Sequence, residues 1–121
     1  MRRLGDLERR VMDVLWEAEA PPMSGRDVSD SLPDRAYTTV LTVLERLRHK
    51  DFVRRTTQGR VHYFEAADSR DAYVAELMIE AMGASANRRA VLARFAASVS
   101  PAEAQALRDA LQLGSGEDHR S

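Results

Sequence analysis

No cysteine occurs in the 121 residues, which excludes disulfides, thiol catalysis and thiolate metal sites. Long apolar runs are equally missing: uninterrupted stretches reach only a few residues, far below the roughly 20 that span a bilayer. The basic start MRRLGDLERR continues into charged residues rather than an apolar segment. No secretory signal and no membrane insertion are therefore expected, and the chain reads as cytoplasmic. The three histidines, His49, His62 and His119, show no ligand spacing such as i, i+4 on one helix, which argues against a metal site. Neither a Gly-rich phosphate loop, nor a Ser-His-Asp arrangement, nor paired buried carboxylates stand out. No enzyme and no cofactor are expected. Aromatics are scarce, at 6% of residues, and Trp16, Phe52, Tyr63 and Phe64 read as core rather than as a stacking platform.

What is present is an ordinary folded composition, 44% hydrophobic and 31% charged, sized for one domain or a small domain with an appendage. The net charge of −1 hides a strong segregation. Residues 46–60 hold Arg46, Arg48, Lys50, Arg54, Arg55 and Arg60 against Asp51 alone, a local +5, so the rest of the chain sums to −6.

Asp6 is a plausible N-cap for a first helix carrying Leu7, Val11, Val14 and Leu15, which EAPPMS stops. Ser24 and Asp27 form a capping-box pair, opening a short helix over Gly25–Ser31 with Val28 and Leu32 inward. After the turn LPDRA, a third helix is expected over Tyr37–Lys50. Two β-leaning runs follow, Phe52–Thr56 and Arg60–Ala66, around a turn containing Gly59. Three helices and a hairpin in this order predict a winged helix-turn-helix over residues 1–67: a mainly α fold with a small β-hairpin wing.

Beyond Asp68 the pattern changes. A helix over Ser69–Met82, another carrying Val91, Leu92, Phe95, Ala96 and Val99, and a third started by SPAE at Ser100–Glu103 fill residues 68–113. Asp27 and Glu103, like Asp6, are best explained as helix-capping acids. Residues 114–121, GSGEDHRS, read as a flexible polar tail. About 45 residues make too little core to stand alone. Tyr73, Leu77, Val91, Leu92, Phe95, Leu107 and Leu111 are thus expected to be buried by a second copy, in a helical dimerisation region.

The third helix has two faces. Val43, Leu44 and Leu47 lie within about 60° of Val40 at 100° per residue. Thr38, Thr42 and His49 lie opposite, Thr39 and Arg46 toward one flank, Glu45 toward the other, and Leu41 at the edge. Threonine hydroxyls and methyls, a leucine methyl and a guanidinium suit a major groove. The basic residues downstream, Arg54, Arg55 and Arg60, would meet phosphates. A bland solvated face is the weaker alternative, since threonines cost helix stability without return there. A ligand-sensing winged helix, or one that docks proteins, are the other readings. The second region is short for a ligand cavity as well as a dimer. A protein-docking face would carry large apolar or aromatic anchors.

The stretches LGDLERRVMDVLW (Leu4–Trp16), YTTVLTVLERLRHKDFVRR (Tyr37–Arg55), VHYFEA (Val61–Ala66) and VLARFAASVSPAEAQALRDAL (Val91–Leu111) resemble the penicillinase-repressor (BlaI/MecI) family. The resemblance covers nearly the whole chain. It implies a dimeric winged-helix repressor on a palindromic double-stranded DNA operator, controlling β-lactam resistance or cell-envelope stress genes. The family's recognition positions fall on Thr38, Thr39, Leu41, Thr42 and Arg46; staphylococcal members carry a basic residue at the place of Leu41. The copper-responsive branch, with its cysteine motif, is excluded. The resemblance also implies relief of repression by proteolysis, linked to a membrane sensor protease, before a phenylalanine in the penultimate helix. Here that bond is Arg94–Phe95, where staphylococcal members have asparagine before the phenylalanine.

Overall fold

The computed structural model describes residues 3–120, with side chains described for residues 3–114. The elements in chain order are α1 (Asp6–Trp16), β1 (Met23–Ser24), α2 (Gly25–Asp30), α3 (Tyr37–His49), β2 (Val53–Gln58), β3 (Val61–Ala66), α4 (Arg70–Gly83), α5 (Arg88–Ser98) and α6 (Pro101–Arg120). The mainly α reading with a hairpin wing holds. The sheet, however, has three strands, in the order β1-β3-β2. β1 pairs antiparallel with β3 through Met23↔Phe64 and Ser24↔Tyr63. Two residues carry no readable period-2 signal, so periodicity alone does not reveal such a strand.

The chain divides into two compact units, one ending at Ile79 and one beginning at Glu80. The core of the first gathers Val11, Met12 and Leu15 of α1, Val28 of α2, the four-residue stripe of α3, Phe52, Val53, Phe64 and Tyr73. Tyr73 corrects the expectation that a partner subunit buries it. It is only 6% exposed within its own chain. Its hydroxyl accepts the Leu4 N–H at 3.1 Å, and its ring meets the Phe52 ring edge-on at 5.6 Å. Leu77, one helical turn on, packs against the same core. The start of α4 is therefore winged-helix structure, and the division falls at Ile79 rather than after residue 67. Three further contacts fix this attachment. The Trp16 indole N–H donates to the Asp68 carbonyl at 3.0 Å. Arg70 donates to Asp13 at 3.0 Å and to Glu17 at 3.1 Å.

Capping follows the sequence in two of three places. Ser24 Oγ accepts the Asp27 N–H while Asp27 accepts the Ser24 N–H. Ser100 and Glu103 do the same at α6. At α1 the cap is Gly5, not Asp6, because Glu8 in the first turn reaches back to the Gly5 N–H at 2.8 Å. α3 ends in a Schellman motif: Phe52 N–H bonds the Leu47 carbonyl and Asp51 N–H that of Arg48, with Asp51 at φ 65°. Gly59 at φ 62° makes the hairpin turn.

In the second unit, Asn87 caps α5 by accepting the Ala90 N–H. The backbone of α6 continues through Arg120, beyond the expected start of a tail at residue 114. A helix already nucleated at a capping box propagates through polar residues at little cost. No residue of α5 is buried.

Glu8 is a buried carboxylate, 5% exposed, on which Lys50 Nζ closes at 2.9 Å. Burial alone pushes its carboxyl up; the Gly5 N–H and Lys50 outweigh that and hold it below the usual range. A depressed folded-state value means Glu8 adds stability above the unfolded glutamate pKa. That stability is lost as the pH falls through the lower folded value. Denaturant titrations should therefore show acid destabilisation beginning below about pH 4.5 that is weaker in Glu8→Gln. At neutral pH Glu8→Ala should cost about 1.5–3 kcal/mol, since charged hydrogen bonds are lost. Equal acid sensitivity in parent and Glu8→Gln would contradict this.

Candidate nucleic-acid interface

α3 is held on three sides, by α1, α2 and β2. Val40, Val43, Leu44 and Leu47 are buried, as the 100° spacing demands, so the opposite face must turn outward. Thr38, Thr39, Thr42, Arg46 and His49 are all exposed there. The Thr42 hydroxyl donates to the Thr38 carbonyl at 2.9 Å. Its proton is thus engaged by the helix, leaving a methyl and oxygen lone pairs to face a ligand. Leu41 differs from the expectation of a groove-facing residue. It is half-buried against the core, and a Cβ on Gly25 would come within 2.6 Å of its Cδ2. Leu41 is therefore first a packing residue between α2 and α3, which glycine at position 25 lets approach closely.

The wing hairpin alternates. Val53, Arg55 and Thr57 share a face with Ala66, Phe64 and His62 of β3, while Arg54 and Thr56 point the other way. Thr57 Oγ1 and His62 Nδ1 lie 2.9 Å apart across the strands. Arg60 follows the Gly59 turn and is exposed, as are Arg54 and Arg46.

Three of the six cations in residues 46–60 are already matched. Lys50 is drawn to Glu8. Arg55, for which a phosphate contact is expected, donates to Glu45 Oε1 at 2.8 Å. Arg48 donates to Glu45 Oε2 through Nε at 3.0 Å and Nη2 at 2.9 Å. Partial burial works against ionisation of Glu45, but the Arg48 and Arg55 bonds hold its carboxyl below the usual glutamate range. The local +5 thus overstates the charge open to a ligand, because two carboxylates from outside the segment reach into it.

Between α3, the start of α2 and the wing lies a cleft of about 800 Å³, its walls including Arg26, Tyr37, Glu45, Arg55 and Arg60. Arg26 was not singled out by sequence reasoning. Its guanidinium sits 4.0 Å from the centre of the Tyr37 ring, a cation–π contact that fixes a positive charge at the cleft mouth. The signal was the capping box itself, which places the residue two after Ser24 on the first turn of α2, facing the start of α3.

Of the residues expected at a dimer interface, Tyr73 and Leu77 belong to the first unit and the others to the second. Leu92 is 50% exposed, Phe95 40%, Leu107 42% and Leu111 64% in the single chain. Val91 is half-buried and Arg94 exposed. No helix among the described residues is long and apolar enough to cross a membrane.

Comparison with known proteins agrees with this geometry. The penicillinase repressor family matches residues 4–113. "Transcriptional regulator BlaI" of Mycobacterium tuberculosis strain CDC 1551 / Oshkosh is 42% identical over 127 residues, covering 99% of this chain and 91% of its own. The protein of that name from strain ATCC 25618 / H37Rv matches to the same extent, 42% over 127 residues. A solved MarR family protein from Bacillus stearothermophilus shares the fold at a TM-score of 0.52 and 15% identity, over 98% of this chain and 77% of that one. A family match across nearly the whole chain, on a three-helix and hairpin scaffold, leaves one assignment: this chain is a winged-helix protein of the penicillinase repressor family.

Proposed function

We propose that the chain is a homodimeric transcriptional repressor that binds a palindromic operator in double-stranded DNA and works in the cytoplasm without a cofactor. The observation that carries this reading is the outward face of α3, where Thr38, Thr39, Thr42 and Arg46 stand exposed beside a wing bearing Arg54 and Arg60. Base edges read by the threonines and Arg46 give sequence preference, and phosphates met by the wing arginines, with Arg26 across the cleft, give affinity. The curated relatives are transcriptional regulators by name, which favours gene control over a structural DNA role.

One recognition helix touches few base pairs, so pairing on a palindrome is the usual route to specificity. The exposed Leu92, Phe95, Leu107 and Leu111 favour a second copy as the cover for α5 and α6. Regulation of β-lactam resistance or cell-envelope genes, and relief by a membrane-linked protease cutting Arg94–Phe95, complete the proposal. Both residues of that bond lie in α5 with the apolar positions of α6 downstream. A cut there leaves each DNA reader to bind alone, without the effective-concentration gain of linkage.

Operator fragments selected from the source genome provide the test. Arg60→Ala should weaken operator and random duplex alike and lower the salt slope by about 1. Thr42→Ala should instead change base preference, by about 1–3 kcal/mol at the position read. Equal affinity of the parent chain for operator and random duplex would overturn sequence-specific repression. A chain ending at Arg94 should sediment mainly as a monomer at micromolar concentration and bind operator at least tenfold more weakly, the rough loss expected without linkage. If that truncation still dimerises and binds normally, the cleavage switch is wrong.

A further inference from the structure

Glu45 places a carboxylate in a cleft whose other walls carry Arg26, Arg55 and Arg60. Both of its oxygens are engaged: Oε1 by Arg55 of the wing and Oε2 by Arg48, three residues along α3. The side chains remain 36% exposed for Glu45, 30% for Arg55 and 33% for Arg48, so water reaches the network. Ion pairs this open contribute little to folding. The cluster therefore calls for another explanation than core stability.

A duplex engaged by both α3 and the wing must run a phosphate strand past the cleft between them. Arg55 is on the inner face of the hairpin, paired across the strands with Phe64, and its side chain lines that cleft. We propose that Glu45 is an electrostatic brake on DNA binding, holding Arg55 away from the phosphate backbone and setting a negative charge against it. This rests on the DNA-binding reading above and adds to it a residue that limits, rather than supplies, affinity. Phosphate contacts carry no sequence information, so the brake lowers binding to all duplexes and leaves base reading to α3.

The brake has a signature that a purely structural strut lacks. Glu45→Ala removes the negative charge and frees the guanidiniums of Arg48 and Arg55; only Arg55 lines the cleft, so about one phosphate contact is added. The slope of log K against log salt should steepen by about 0.9, which corresponds to roughly eightfold tighter binding at about 0.1 M salt and convergence with the parent near 1 M. Operator and random duplex should gain equally. Glu45→Gln, which keeps the shape and an acceptor for arginine, should fall between. Arg55→Ala should cost more affinity in the Glu45→Ala background than in the parent, because only there is the guanidinium released. If Glu45 instead braces the wing for binding, Glu45→Ala weakens DNA binding and leaves the slope unchanged or shallower. That result, or no change in either quantity with the fold intact by circular dichroism, overturns the proposal. Failure of the parent chain to bind any duplex at low salt would overturn the DNA-binding reading first, and this one with it.

Discussion

Burial of one aliphatic stripe on α3 governs the surface proposed to face DNA. Val40, Val43, Leu44 and Leu47 are each at most 2% exposed. Each contributes about 1.5–3 kcal/mol by leaving water. Because side chains on a helix are fixed in angle by its 3.6-residue turn, seating this stripe leaves no freedom in where Thr38 and Thr42 point. Gly25 completes the seat by letting α2 come close at Leu41. In the proposed reading, recognition is a by-product of packing: the core sets the angle, and the outer residues inherit it.

Charge is arranged by the same logic. Glu8 takes Lys50 at the foot of α3, fixing the end of the helix to α1. Glu45 joins α3 to the wing through Arg55. The first contact anchors the end of α3, and the second matches the charge of Arg55. Arg46, Arg54 and Arg60 are left exposed around them. A chain that is nearly neutral overall can thus present a graded positive surface, with its strength set by which arginines are matched and which are open.

Much of this was legible in the sequence for a simple reason: helical period and capping are local. The stripe on α3, the Ser24–Asp27 and Ser100–Glu103 caps and the Gly59 turn each depend on residues within a few positions of one another. What escaped depends on distant partners. Tyr73 reads as part of an amphipathic helix, but only the fold shows that its stripe faces Trp16 and Phe52 of the same chain. β1 is two residues whose identity as a strand comes wholly from β3. Arg55 and Glu45 are ten positions apart on different elements, so counting charge in a window missed their pairing. The family resemblance supplied the overall assignment, yet Leu41 shows that a position carried over from relatives can serve packing first.

Whether α3 and the wing together form the duplex-binding surface is tested most directly by titrating the isotope-labelled chain with a selected operator duplex and following backbone amide resonances. Shifts are expected to concentrate at residues 37–46 and 54–62 and at Arg26, with α1 and the start of α4 little affected. Shifts centred on α1 or on α4 to α6, with the α3 and wing amides unmoved, would contradict it.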